Sequence, residues 1–118
     1  MIRFDKFTAK AQEAVEQALA LAKRYGHQEV GAHHLLAVLL SDPEGMAVSV
    51  FRKAGLDVDA FREEIDKGLS ERAKVQGAGL EEYLSVELRR VFETAFKEAE
   101  ALKDEYVSVE HFILALLE

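Results

Sequence analysis

The stretch TAKAQEAVEQALALAKRY, residues 8–25, and the stretch SVELRRVFETAFKEAEAL, residues 85–102, carry one helical pattern twice. In the first, apolar residues fall at Ala11, Ala14, Val15, Ala18, Leu19, Ala22 and Tyr25. Spacings of three and four residues lay them along one face of a helix of about five turns. Displaced by 77 residues, the same positions become Leu88, Val91, Phe92, Ala95, Phe96, Ala99 and Leu102, and all are apolar. The register holds beyond the helix. Val30 falls on Val107, His34 on His111, Leu35-Leu36 on Phe112-Ile113, and Leu39-Leu40 on Leu116-Leu117. Helix-start residues match too: Thr8 falls on Ser85, each with a hydroxyl able to accept from a first-turn amide, and Gly31 falls on Ser108. A duplicated unit is the simplest account, and two copies predict a pseudo-symmetric pair packed face to face rather than a solenoid.

The first copy carries two further helices. Asp42-Pro43-Glu44 reads as a helix start, with Asp42 as cap and proline at the first helical position. That helix is expected to run to Ala54, where Gly55 takes the left-handed terminating conformation and Leu56 folds back as an apolar clasp. Asp57 then caps a helix through Phe61, Ile65 and Leu69. Periodicity fails from about Glu71 to Tyr83, where Gly77 and Gly79 predict a joining loop. No stretch alternates long enough to predict a strand. The expectation is an all-α bundle of about six helices forming one domain over residues 1–118. Repeat one covers about 7–70, the loop about 71–83, and repeat two, incomplete, 84–118. The chain reads as a fragment or as one that ends early relative to its relatives, and the expected cost is an apolar face for a swapped or paired partner to cover.

Composition narrows the function classes. The chain has 118 residues, 49% of them hydrophobic, which suits one folded domain with its own core. It has no cysteine, so disulfides, thiol catalysis and cysteine-ligated zinc are excluded. Fifteen Lys and Arg against 22 Asp and Glu give a net charge of −7, which opposes phosphate backbones, and nucleic acid is not an expected partner. The start, Met1-Ile2-Arg3-Phe4-Asp5, lacks the apolar run of a signal peptide, and no segment approaches the roughly 20 apolar residues of a membrane span. No membrane partner is expected, and a cytoplasmic location is.

Lys6-Phe7-Thr8, Tyr25-Gly26-His27-Gln28-Glu29-Val30, the run His34-Leu35-Leu36-Ala37-Val38-Leu39-Leu40 and Asp104-Glu105-Tyr106-Val107-Ser108-Val109-Glu110-His111 resemble Clp family amino-terminal domains. The long loop Lys74-Val75-Gln76-Gly77-Ala78-Gly79, followed by Tyr83-Leu84-Ser85, is similar to ClpB rather than to ClpA or ClpC. The resemblance implies an all-helical double repeat of four helices each. It also implies a hexameric AAA+ disaggregase that works with a DnaK-type chaperone, whose amino-terminal domain captures exposed segments of unfolded or aggregated polypeptides. ATP is expected only in the ATPase modules of such a parent. Gly77-Ala78-Gly79 runs on into Leu80-Glu81-Glu82, without the Gly-Lys-Ser/Thr ending of a phosphate-cradling loop, so no cofactor is expected in this chain.

In ClpB relatives a threonine opening the first helix, and an aspartate and a glutamate around the sixth, matter for substrate handling. The resemblance places these roles on Thr8, Asp104 and Glu110. Each also has a structural reading: Thr8 as a helix cap, Asp104 as solvated loop, Glu110 as a first-turn carboxylate at a positive helix end. Phe92, Phe96, Val91, Phe112 and Leu19 are candidates to line a groove where the first, fifth and sixth helices meet, although a stripe at helical spacing usually marks core. His33 and His34 point about 100° apart and do not suit one metal ion. The matched His34 and His111 predict a repeated structural hydrogen bond near a helix start. Recognition of phosphorylated arginine in ClpC-type relatives uses a glutamate in each copy, and here Glu110 is met in the first copy by His33. The function expected is a non-catalytic binding module. The alternatives are adaptor docking of the ClpA or ClpC kind and a structural cover regulating access to the ring.

Overall fold

The computed structural model describes residues 2–74 and 81–118, and within them six α-helices account for most of the chain. A 3₁₀ turn over Phe4–Lys6 leads into α1 (Ala9–Arg24), then β1 (Glu29–Val30), α2 (Ala32–Leu39), α3 (Met46–Lys53) and α4 (Val58–Glu71). Then follow β2 (Tyr83–Leu84), α5 (Val86–Ala101) and α6 (Val109–Leu116). The expected all-α class holds. The expected glycine-bearing loop falls largely on residues 75–80, outside the described residues.

The repeat is visible atom by atom. Thr8 caps α1 by accepting from the Ala11 amide at 3.1 Å, and Ser85 caps α5 by accepting from the Leu88 amide at 3.0 Å. Both helices close in the same left-handed turn. The amides of Gly26 and His27 donate to the carbonyls of Lys23 and Ala22, and those of Lys103 and Asp104 to Glu100 and Ala99. The pivot has φ +77° at Gly26 and +60° at Lys103, where a side chain is carried in a conformation glycine usually occupies.

The two copies exchange short extended segments, which the sequence pattern did not announce. Val30 pairs in parallel with Leu84, and Phe7 bridges Val107. Thr8 donates to the Val107 carbonyl and Ser85 to the Val30 carbonyl, each at 2.9 Å. Two residues per strand are too few for period-two alternation to register. Through this exchange Phe7 enters the core of the other copy, with ring centroids 5.5 Å from Phe92, 5.2 Å from Phe112 and 5.6 Å from Phe96.

Two helix boundaries depart from expectation. Asp42 does not cap α3: its carboxylate accepts from the Glu44 amide at 3.0 Å and its carbonyl from the Gly45 amide at 2.9 Å. Asp-Pro-Glu-Gly closes a β-turn, with proline and glycine at the positions that turn favours, and α3 begins at Met46 behind Gly45. At the other end Gly55 takes φ +91° and the Leu56 amide reaches the Phe51 carbonyl, but the Leu56 side chain is exposed and not part of the core. Asp57 caps α4 by accepting from the Ala60 amide, and Ile65 and Leu69 are buried while Phe61 is half-buried. The stripe on α5 is buried except at its last member, Leu102, which is exposed, and at half-buried Val91 and Phe96. Leu40 is fully buried under the helices that follow it, whereas its counterpart Leu117 is 46% exposed.

Candidate functional site

The two histidines at matched positions do the structural work expected of them. Each is the third residue of its helix, and its ring Nδ1 accepts from the amide at the helix start: Gly31 to His34 at 2.9 Å, Ser108 to His111 at 2.8 Å. An acceptor Nδ1 leaves the proton on Nε2, which then needs an acceptor of its own. His34 Nε2 meets His27 Nδ1 at 2.9 Å, and His111 Nε2 meets the Asp104 carboxylate at 2.9 Å. His27 and Asp104 are themselves equivalent under the 77-residue shift. Burial and the nearby Arg72 guanidinium push His34 down to about 4, and the same causes lower His27. His27 Nε2 is buried without a hydrogen-bond partner among the described residues.

An open groove of about 860 Å³ lies where the N-termini of α1, α3 and α6 converge beside the end of α2. Its apolar lining comes from Ala9 and Ala14 of α1, Val38 and Leu39 of α2, Met46 of α3 and Val109 of α6. Thr8, Ser108 and Glu110 stand on its wall, with Lys10, Glu13 and Asp42 around it. Glu13 is held by the Gln17 side-chain amide at 3.1 Å, whereas the exposed Glu110 carboxylate has no side-chain partner among the described residues. Met46 is 50% exposed, so a flexible apolar side chain meets solvent at the rim. Such a surface can take an apolar segment and offer hydrogen bonds to its polar edges. Among the described residues no group of three or more His, Cys, Asp or Glu is placed to hold a metal.

The sequence candidates separate cleanly on this geometry. Thr8 and Glu110 come together in the groove. Asp104 lies outside its lining and contacts His111 instead. Phe92 and Phe112 are fully buried, and this corrects their assignment to a groove: the aromatic cluster around Phe7 uses them as core. Phe96, Val91 and Leu19 are half-buried against that core and line no part of this groove; Leu19 borders a separate hollow with Phe4 and Val15. This groove is built from α1, α2, α3 and α6, and α5 contributes nothing to its lining. Reasoning from sequence missed Met46, Leu39 and Val109. Reading Asp42–Gly45 as a turn would have put Met46 at a helix start, but nothing local places that start beside Thr8.

Residues 6–118 match the model of the Clp repeat N-terminal domain. The chain belongs to this family. Clp domain relatives include the chaperone protein ClpB of Bacillus anthracis, 38% identical over 117 residues, covering 97% of this chain and 14% of that protein. ClpB of Nitratidesulfovibrio vulgaris is 40% identical over 116 residues, 96% of this chain and 13% of that protein. The chain therefore spans about one-seventh of the length of these relatives. Among solved structures, the Hsp104 N-terminal domain of Candida albicans superposes with a TM-score of 0.84 at 26% identity, over 96% of this chain and 74% of that one. A ClpV N-domain in complex with a VipB peptide superposes with a TM-score of 0.74 at 25% identity, over 97% of this chain and 69% of that one. No helix of the described residues is long and apolar enough to cross a membrane.

Proposed function

We propose that this Clp domain captures exposed apolar segments of unfolded or aggregated polypeptides in the groove between α1, α3 and α6. In this reading it hands them to the ring of a ClpB-type disaggregase. The observation that carries the reading is the groove itself, where Leu39, Met46 and Val109 line the same surface as Thr8 and Glu110. ClpB relatives along nearly the whole chain, and a peptide complex of a domain with this fold, support it. Shallow, open burial favours weak binding, which onward release of a substrate requires. The domain contributes binding and no catalysis of its own. The parent is cytoplasmic, hexameric and ATP-driven in this reading, and it cooperates with a DnaK-type chaperone.

An amide-detected NMR titration with unfolded casein tests the proposal on wild type and Met46→Asp. Met46 is exposed at the first position of α3, where an acidic residue suits the positive helix end, so the variant is expected to fold normally. Shifts at Thr8–Gln17, Met46–Ala47 and Ser108–Glu110, lost in the variant, are expected. A folded wild type without shifts would refute capture, and binding of a small folded adaptor but not casein would favour the docking alternative.

A further inference from the structure

We infer that Asp104 is a positioning residue for the groove: it holds α6 in place through His111 and does not touch the captured chain. This rests on the capture reading above for its consequence, though not for its geometry. Asp104 is fixed at the end of α5, where its amide donates to the Ala99 carbonyl at 2.8 Å and closes the left-handed turn through Lys103. Its carboxylate receives His111 Nε2 at 2.9 Å. On the far side of that ring, Nδ1 lies 2.8 Å from the Ser108 amide and 3.0 Å from the Ser108 hydroxyl. The Ser108 amide can only donate, so Nδ1 accepts and the proton sits on Nε2, with the carboxylate as the acceptor the ring needs. The His111 ring is 4% exposed while the Asp104 carboxylate it reaches is half exposed, so the contact ties a buried ring to the surface turn after α5. The chain of contacts thus joins the end of α5 to Ser108, Val109 and Glu110, the three residues α6 brings to the groove.

The first copy makes the same connection without a carboxylate. His27, at the matched position and with the matched backbone bond to the Ala22 carbonyl, receives His34 Nε2. There the helix start at Gly31 lies outside the groove, which takes only the far end of α2. A neutral acceptor therefore suffices to hold such a helix start, and the negative charge of Asp104 is not what the position requires. Asp104→Asn keeps an oxygen acceptor, Asp104→His transplants the pairing of the first copy, and Asp104→Ala removes the acceptor altogether.

The test measures casein affinity for the four proteins, with Ser108 amide hydrogen exchange and the His111 ring ¹⁵N shifts read on the same samples. Asp104→Ala is expected to weaken casein binding about three- to tenfold, the effect of one lost part-buried hydrogen bond. Its Ser108 amide should exchange faster and the ring should lose the single Nε2–H form. Asp104→Asn and Asp104→His should bind within about twofold of wild type and keep Ser108 protected. Equal weakening in all three variants with Ser108 protected would overturn the inference and make Asp104 a charged contact to substrate. Wild-type binding and exchange in Asp104→Ala would overturn it as well. If wild type leaves casein unbound, the capture reading alone fails, and Ser108 exchange in Asp104→Ala still decides whether the contact holds α6.

Discussion

Acid should loosen the first copy through His34, by an amount the structure allows one to work out. His34 is fully buried, its Nδ1 engaged by the Gly31 amide and its Nε2 given to His27, with no carboxylate in contact. Burial opposes the charged ring, and Arg72 and His27 beside it disfavour a second proton further, so its value falls to about 4. An unfolded histidine titrates near 6.5. Between those values the unfolded chain binds more protons, so stability is full above about pH 6.5 and is lost as pH falls toward 4. From pH 7 to pH 5 the loss is about 2 kcal/mol from this residue alone. Carboxylates also titrate on the way down, so the informative comparison is His34→Gln. Glutamine at the third helical position can accept from the Gly31 amide and donate to His27 without titrating. Urea unfolding followed by circular dichroism should show the wild-type midpoint falling about 1 M further than the variant's between pH 7 and pH 5, for a slope near 2 kcal/mol/M. Parallel pH profiles would refute the reasoning.

Three further outcomes follow from the fold. Gly26→Ala forces a side chain into φ +77° with Lys74 Cβ 3.4 Å away, and should lower stability by about 1–2 kcal/mol, whereas Lys103→Gly at the matched turn should raise it by up to about 1 kcal/mol; thermal melts decide both. Asp57→Ala removes the cap of α4 and should cost about 1 kcal/mol by urea unfolding, while Asp42→Ala, which loses only a turn contact, should cost about half as much. Phe92→Ala should cost about 3–5 kcal/mol in the same assay, as expected of a fully buried ring, and equal costs for Phe92→Ala and Met46→Asp would contradict the separation of core from groove.

Helix spacing, the 77-residue shift, the caps at Thr8, Ser85 and Asp57, and the paired role of His34 and His111 were all legible in the chain, because each is a local relation within about one turn of helix or a comparison of two such stretches. The turn at Asp42–Gly45 was also local, but proline after aspartate serves a helix start and a β-turn equally well, and the sequence holds nothing to choose between them. Which apolar residues line the groove was not local at all. Phe92, Phe112, Phe96, Val91 and Leu19 belong to stripes that look alike on a helical wheel, and only the insertion of Phe7 across the two copies seals the first two in the core. Thr8, Met46 and Glu110 lie far apart in the chain and on three different helices, and they meet only because the exchanged segments at Phe7–Val107 and Val30–Leu84 fix how the copies interlock. The sequence determined the helices and their repetition through short-range periodicity. The tertiary structure decided which faces are left for a ligand, because exposure depends on what packs against a helix and not on the helix alone.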